Sequence, residues 1–447
     1  MSPTAPYSRT TLAPIARRSA TTCLGRPVIS MQAFVAGAGL GVLIGLIPLF
    51  DFLARSAREG LVSYSFVQVR ESPPGVAQKI ALVLILCALP IAVAAWRCDL
   101  DFRRAGLFPI VALANVTIVS ASLIGLPAST LIYVALVTYC FSLAALVSAF
   151  DRSADEFMEG FLSAVGVVLA GVFCLVIWDA NYSYGRLMGR SGPNYWGMVA
   201  IAATFGALAL RSAPLRVAIL SIAVFTIYLC QSRGTMLAVG SGCGILWLLH
   251  VYHASHFRRL VILGATLFVA LAAIIVFGDF IATKLLLLDN RGRGLESGGT
   301  GRVGAWEQTF ELFSTSPWLG VGYRQHESFI TAASSSHNAY LASLADTGIV
   351  GFAAYLALMF GATVLAIRKA IIDASQIAMA VAGLSTSFLV IGCVERVGIN
   401  TGNTLSLVMI FSAAWAYRTG PAPQRAPTRA LTKRQIAVHQ KRRSFQS

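Results

Sequence analysis

Long apolar stretches dominate this 447-residue sequence and restrict the folds that it can adopt. Hydrophobic residues make up 56% of the chain, charged residues make up only 12%, and the mean hydropathy is +0.71. A soluble globular protein needs a larger polar surface than this composition provides. The sequence therefore predicts an all-α, polytopic membrane protein.

A helix that crosses about 30 Å of hydrocarbon needs roughly 20 apolar residues. This measure predicts about twelve transmembrane helices, at residues 31–52, 79–96, 105–124, 127–150, 158–179, 194–210, 217–231, 235–253, 260–279, 338–366, 375–393 and 404–417. The predicted organisation is a basic tail (1–30), nine helices (31–279), a long outer loop (280–337), three helices (338–417) and a second basic tail (418–447).

The basic residues predict the orientation of these helices. The formal net charge is +16, but most Arg and Lys residues fall in the tails and short loops that are cytoplasmic if the N-terminus is cytoplasmic. This distribution is typical of topology control and argues against nucleic-acid binding. Both termini are predicted to be cytoplasmic. The first apolar run is predicted to be a retained span, because no convincing small-residue cleavage site follows it.

The eight cysteines are isolated and show no spacing typical of disulfides or zinc sites. They are predicted to be packing residues: Cys23, Cys87, Cys98, Cys140, Cys174, Cys230, Cys243 and Cys393.

A polar island at residues 280–351 is the part of the chain best suited to chemistry. It ends in His337-Asn338, nine further residues, then Gly348 and Gly351. Within it, apolar residues at three-to-four-residue spacing predict an amphipathic helix over 303–314 at the membrane interface. Its apolar residues are Val303, Trp306, Phe310 and Phe313, Pro317 ends it, and a glycine-punctuated turn follows at 318–323.

Four basic residues are predicted to meet on the outer side of the membrane: Arg190, Arg233, Arg302 and His337. Each has an ordinary alternative, because Arg233 can reach lipid phosphates, Arg190 and Arg302 can be loop charges, and His337 can be a solvated helix cap. A diphosphate ligand gives the arginines a shared role, since guanidinium groups bind phosphate oxygens bidentately and stay charged. His337 precedes the next predicted helix, whose N-terminus favours an anion.

These motifs resemble the bacterial O-antigen ligase and O-antigen polymerase superfamily, most closely its ligases. The resemblance runs from about residue 185 to 365. It is carried by His337-Asn338 with Gly348 and Gly351, by Thr300-Gly301-Arg302 with Trp306, by the run Pro317 to Gly322, by the turn Ser232-Arg233-Gly234, and by the Arg190 loop with Pro193-Asn194.

The resemblance implies a glycosyltransferase with a GT-C-like membrane fold in the bacterial inner membrane and a periplasmic active site. The implied donor is a glycan on undecaprenyl diphosphate, and ligase members transfer it to the lipid A-core. The expected partners are these two substrates and membrane lipids.

Glycosyl transfer requires stabilisation of the diphosphate leaving group while an acceptor hydroxyl attacks the anomeric carbon. Arg190 and Arg233 are the predicted catalytic cations, and Arg302 and Asn338 are further predicted diphosphate contacts. His337 is the predicted residue that takes or orients the hydroxyl proton. Further possible site residues are His326, the reserve for His337, together with Arg186 and Arg324, and Gly348 and Gly351 form a structural motif.

No metal or cofactor is predicted. The only Asp-x-Asp pattern, Asp99 to Asp101, falls in a predicted cytoplasmic loop, and His250, His253 and His256 do not share one helical face. Arginines would then replace a divalent ion at the diphosphate, so the activity is expected to survive chelation.

Three functions remain open at this stage. The ligase is preferred because the spacing of the His337 motif matches the ligase form. The second is a polymerase of O-antigen or exopolysaccharide, or a protein O-oligosaccharyltransferase, which differ from the ligase in the acceptor. The third is a transporter of lipid-linked glycan, which is disfavoured because the chain shows no internal repeat and few charges within its spans.

Overall fold

The structure is a computed structural model. It describes residues 28–59, 85–96, 99–121, 128–150, 153–183, 185–189, 191–280, 282–283, 302–331, 335–399 and 402–419. Four predictions therefore fall outside the described residues: most of both basic tails, residues 284–301 of the long loop, and Arg190.

Most of the described residues are helical. In chain order the helices are α1 (Val28–Gly45), α2 (Ile47–Glu59), α3 (Ile85–Trp96), α4 (Phe108–Ala121), α5 (Ala128–Ser148), α6 (Ala154–Trp178), α7 (Pro193–Leu208), α8 (Ala213–Cys230), α9 (Arg233–His253), α10 (His256–Phe280), α11 (Arg302–Thr315), α12 (His326–Phe329), α13 (Ala339–Asp373), α14 (Gln376–Gly392) and α15 (Thr404–Tyr417). A 3₁₀ turn at Phe102–Ala105 precedes α4. A two-stranded antiparallel hairpin, β1 (Tyr182–Ser183) and β2 (Arg186–Leu187), joins α6 to α7.

The predicted helical fold is confirmed, and a helix overlaps each of the twelve predicted spans. Within the described chain, six helices are long and apolar enough to cross a membrane: Met31–Leu53, Ala154–Trp178, Ala213–Cys230, Arg233–His253, His256–Phe280 and Ala339–Asp373. Five more apolar helices are shorter, at 10–17 residues. The protein is thus a multi-pass membrane protein, and the number of twelve crossings stays a prediction.

The core of the bundle lies around α6, α7, α14 and α15. Every residue of α15 is buried, and so is nearly all of α7. Near the N-terminus of α7, the buried Trp196 packs edge-to-face against Phe52 and Phe173, with ring centroids 6.4 Å away in each case. Its indole N–H donates a 2.8 Å hydrogen bond to the Gly189 carbonyl, which satisfies the one polar group of this side chain. Trp196 thereby fixes the loop after the β1–β2 hairpin to the core.

The cysteines only partly follow the packing prediction. Cys87, Cys140 and Cys230 are buried, as predicted. For Cys174, Cys243 and Cys393 the prediction is wrong, because these side chains are exposed at the surface of the bundle. Cys23 and Cys98 lie outside the described residues.

The predicted helix at 303–314 is confirmed as α11, which runs from Arg302 to Thr315. Ala305 and Thr309 form its buried face, while Val303 and Phe310 are exposed. Small residues on the inner face allow α11 to lie close to the bundle. The position of α11 at the membrane interface stays a prediction.

Helix α13 is broken in its N-terminal part. Gly348 has φ 64° and ψ −170°, which no α-helix contains, and the break leaves backbone groups without helical partners. The segment 316–322 pairs with them. The amide of Ile349 donates to the Pro317 carbonyl (2.8 Å), and the amides of Val321 and Gly322 donate to the carbonyls of Ala345 and Asp346 (2.9 Å each).

Glycine is required on both sides of this junction. A Cβ atom on Gly348 would lie 2.3 Å from the carbonyl carbon and oxygen of Trp318, and one on Gly320 would lie 2.3 Å from the carbonyl carbon of Asp346. Both glycines also have positive φ angles, which L side chains rarely adopt. The turn at 318–323 and the Gly348 motif, far apart in the sequence, are therefore one structural unit.

We expect Gly348→Ala and Gly320→Ala each to destabilise the protein by on the order of 3 kcal/mol, because the new methyl group meets backbone atoms at a strained φ. Gly240→Ala in α9 is the matched control, since a Cβ there meets nothing within 4 Å. Thermal unfolding of the three variants in detergent measures the difference. Equal unfolding temperatures for Gly348→Ala and Gly240→Ala would contradict the proposed junction.

Candidate functional site

His337 lies immediately before the N-terminus of α13. The next residue, Asn338, is the N-cap, and its side-chain oxygen accepts hydrogen bonds from the amides of Tyr340 (2.9 Å) and Leu341 (3.0 Å). His337 itself has φ 46°, in the left-handed region, and its side chain is 30% exposed. A histidine held in this conformation is partly open to a ligand and lies at the positive end of the α13 helix dipole.

A buried carboxylate, Glu395, contacts His337. Glu395 follows α14, and only 6% of its surface is exposed. One carboxylate oxygen lies 3.3 Å from Nδ1 of His337. The other accepts hydrogen bonds from Nη2 of Arg302 (2.6 Å) and from Nδ2 of Asn194 (2.8 Å). Glu395 thus joins the starts of α7 and α11 to the residue that precedes α13.

The network continues to the β1–β2 hairpin. Nη2 of Arg186 donates to the side-chain oxygen of Asn194 (3.1 Å), and Nε of the same guanidinium donates to the Cys230 carbonyl at the end of α8 (2.9 Å). Arg186, which the sequence marks as a possible site residue, is therefore connected to Glu395 through one side chain, Asn194.

Arg233 begins α9 and is half-buried. The neighbouring Gly234 packs against the residue before Glu395, because a Cβ on Gly234 would lie 2.6 Å from a methyl carbon of Val394. The turn that carries Arg233 thus contacts the Glu395 loop. Of the four basic residues predicted to meet, Arg302 and His337 contact the same carboxylate, Arg233 lies on an adjoining turn, and Arg190 is outside the described residues.

Several guanidinium groups lie in or next to this site. Arg302 contacts Glu395, Arg186 is linked to Glu395 through Asn194, and Arg233 lies on an adjoining turn. A buried carboxylate is stable only when donors satisfy it, and Glu395 has three of them. Such a group of fixed guanidinium donors is suited to binding an anion with several oxygens.

The side chain of Asn338 is already engaged. Besides capping α13, it donates from Nδ2 to the Cys393 carbonyl (3.1 Å). These contacts fix the start of α13 to the Glu395 loop. Direct contact of Asn338 with a diphosphate stays a prediction.

His326 and Arg324 belong to a different cluster. His326 is fully buried, and its Nδ1 lies 2.7 Å from Oδ1 of Asp346, next to the break in α13. Arg324 and Arg396 both pair with Glu327. The side chain of His326 pairs with Asp346 and that of His337 pairs with Glu395, so the reserve histidine and the primary candidate have different carboxylate partners.

A cleft adjoins the loop that carries Glu395. Glu395 faces His337, whereas the next residue, Arg396, lines the cleft. Ala339, two residues after His337, is also part of the wall. Other lining residues come from α4, α13 and the loop after Gly322: Asn115, Ile118, Tyr323, Arg324, Ser343, Asp346 and Tyr355.

Among the described residues, no group of three or more His, Cys, Asp or Glu side chains could hold a metal ion. In the Asp-x-Asp pattern, Asp101 caps the 3₁₀ turn by accepting from the Arg103 amide (3.1 Å), and it also pairs with Arg104. These contacts give that pattern a structural role.

The sequence model of the O-antigen ligase family matches residues 218–356. The matched segment is about a third of the chain, and over it the chain is similar to the O-antigen ligase family. This confirms the resemblance seen in the sequence. A comparison with curated proteins gives no match. The O-antigen ligase segment contains Arg233, Arg302 and His337, and it ends well before Glu395.

Glu395 is the site residue that sequence reasoning missed. Glu395 is a single carboxylate between Val394 and Arg396, so it does not form an acidic pair at metal-ligand spacing. Its position was nevertheless informative. It follows a predicted span directly, on the side that also carries the O-antigen ligase motif, where an acidic side chain can pair with the predicted arginines.

Proposed function

We propose that this protein is an O-antigen ligase that transfers a glycan from undecaprenyl diphosphate to the lipid A-core on the periplasmic side of the inner membrane. The observation that carries this proposal is the contact of Arg302 and His337 with one buried carboxylate, in a chain whose segment 218–356 is similar to the O-antigen ligase family. This contact brings Arg302, whose guanidinium group can bind phosphate, next to His337, which can accept a proton.

In the proposed reaction, an acceptor hydroxyl attacks the anomeric carbon of the donor glycan. The bond between that carbon and the diphosphate oxygen breaks, and the diphosphate leaves with the electron pair. Arg233 and Arg302, with Arg190 as the third predicted cation, stabilise the developing negative charge. His337 accepts the hydroxyl proton through the ring nitrogen that does not face Glu395.

The surroundings of the site suit a lipid-linked donor. Trp318 and Phe310 lie in the same outer segment as Arg302 and His337, and both are exposed. Aromatic side chains of this kind favour the level of the lipid headgroups. A diphosphate attached to a membrane lipid occupies that level too, so donor and arginines would meet without leaving the membrane surface.

We place the acceptor in the cleft that adjoins the Glu395 loop. The predicted diphosphate contact Arg302 pairs with Glu395, whereas the next residue, Arg396, lines the cleft together with Ala339. The cleft has the aromatic walls and convergent polar side chains typical of a ligand site. Tyr323, Tyr355, Asn115 and Asp346 are among them.

A polymerase of O-antigen or exopolysaccharide, or a protein O-oligosaccharyltransferase, would use the same donor chemistry and is the alternative to a ligase. Transport of lipid-linked glycan is less well supported. In the described spans, charged residues such as Asp155, Glu159 and Lys369 lie within a few residues of helix ends. Transporters commonly place charged groups near mid-membrane.

Deletion of the gene in its host, followed by complementation with wild type or His337→Ala, tests the proposal. We expect wild type to restore long chains on lipid A, while His337→Ala leaves full-length glycan on undecaprenyl diphosphate, because general-base loss costs about 10²–10⁴-fold in rate. His256→Ala, an exposed histidine at the start of α10, is the control. Lipopolysaccharide gels and an assay for carrier-linked glycan give the readout.

Other outcomes of this experiment identify the alternatives. Single repeat units on lipid A in the deletion strain would indicate a polymerase, and unchanged lipopolysaccharide would direct the search to exopolysaccharide or protein acceptors. Full complementation by His337→Ala would show that His337 does not take part in the reaction.

Chelation tests the role of arginine in place of a metal. We expect the purified protein to keep its transfer activity in excess EDTA, because guanidinium groups would neutralise the diphosphate. Inhibition by EDTA that added magnesium or manganese reverses would show that the arginines do not replace a metal.

Filling the cleft tests the acceptor position. Ser343→Trp puts an indole into the cleft, so we expect KM for the acceptor to rise by about tenfold or more while KM for the donor changes little. Ser142→Trp, at an exposed position of α5, is the control. A rise in the KM of the donor instead of the acceptor would assign the cleft to the donor.

A further inference from the structure

We propose that Glu395 is a positioning residue that fixes His337 in the tautomer with the proton on Nδ1 and keeps Nε2 free to accept the acceptor's proton. This inference rests on the proposed function and adds to it a residue outside the segment matched by the family. The ring nitrogen that faces Glu395 is Nδ1, at 3.3 Å from Oε2.

The chemistry of a carboxylate determines the tautomer. An ionised carboxylate can only accept hydrogen bonds, so a neutral His337 makes this contact only with its proton on Nδ1. Nε2 then has a free lone pair. A neutral imidazole has one N–H donor and one acceptor, and with the opposite tautomer the ring would present a donor to the incoming hydroxyl.

The other contacts of Glu395 fix the carboxylate itself. Its Oε1 accepts from Arg302 and from Asn194, and the whole side chain is buried. Rotation of the carboxylate would break both of these contacts, and they come from two different helix starts. The orientation of the His337 ring is therefore linked to the docking of α11, which carries Arg302.

A glutamine at this position cannot replace the carboxylate. Three donors face Glu395, from His337, Arg302 and Asn194, while an amide offers one oxygen and adds two N–H donors of its own. Glu395→Gln thus leaves at least one donor unpaired with little change in volume. Glu395→Asp keeps the charge but shortens the side chain, so it should retain more activity than Glu395→Gln.

The kinetic test uses membranes or purified protein with carrier-linked glycan and lipid A-core extracted from the host. We expect Glu395→Gln to lower kcat by on the order of 100-fold, with KM for the donor changed by less than about threefold. In a His337→Gln background, Glu395→Gln should lower kcat by less than about tenfold, because a positioning residue acts through the residue that it holds. Glu159→Gln, which removes the carboxylate paired with Arg211, is the control.

A spectroscopic readout separates positioning from general destabilisation. In protein labelled with ¹⁵N-histidine, His337 is assigned by the signal lost in His337→Gln. At pH 8 we expect the wild type to show a protonated Nδ1 and an unprotonated Nε2, and Glu395→Gln to show loss of that preference. Thermal unfolding of each variant checks that the fold is retained.

The outcomes distinguish the proposed reaction from the positioning role of Glu395. If His337→Gln keeps full activity, the proposed reaction fails whatever Glu395 does. If His337→Gln is inactive while Glu395→Gln has normal kcat, or if the tautomer is the same in both proteins, the positioning role alone is overturned. An equal loss from Glu395→Gln in both backgrounds would also overturn it.

Discussion

The backbone hydrogen-bond requirement at the break in α13 determines how the segments around the candidate site pack together. Polar backbone groups that lose their helical partners in an apolar environment are costly unless other groups pair with them. The segment 316–322 provides those partners, and Gly320 and Gly348 allow the two backbones to approach. The short helical piece before the break, residues 339–347, is thereby fixed to the loop that follows α11.

This short helical piece positions His337. Asn338 caps its free end and also binds the Glu395 loop, so the residue directly before the cap, His337, is held from two sides. Glu395 adds a third contact through the imidazole. A buried carboxylate must gather donors, and the donors available are those of Arg302 and Asn194. Residues 337–347 are therefore fixed at one end by the contact of His337 with Glu395 and at the other end by the backbone hydrogen bonds at the break.

The sequence predicted the helices well because apolar length is a local property, and a helix overlaps each predicted span. It also predicted α11 and the position of His337 before a helix. What it could not give were contacts between distant segments. Nothing local in Gly320 or Gly348 indicates that they meet, and the partners of Glu395 lie 58 to 201 residues away. The exposed cysteines were mispredicted for a related reason, since hydropathy does not tell which face of a helix meets the bundle.

The pairing of arginines with carboxylates bears on turnover in the proposed reaction. Guanidinium groups that bound the diphosphate of the substrate as strongly as that of the transition state would not raise kcat, because uniform binding lowers only KM. Arg302 is already paired with Glu395, so its attraction for the ground-state diphosphate is partly offset. As negative charge grows on the leaving oxygen, the attraction of Arg302 for the phosphate increases relative to its attraction for Glu395.

Glu395 also stabilises the imidazolium that forms when His337 takes the proton. One carboxylate can thus moderate diphosphate binding and favour proton transfer, which gives a physical reason for a buried acid among arginines.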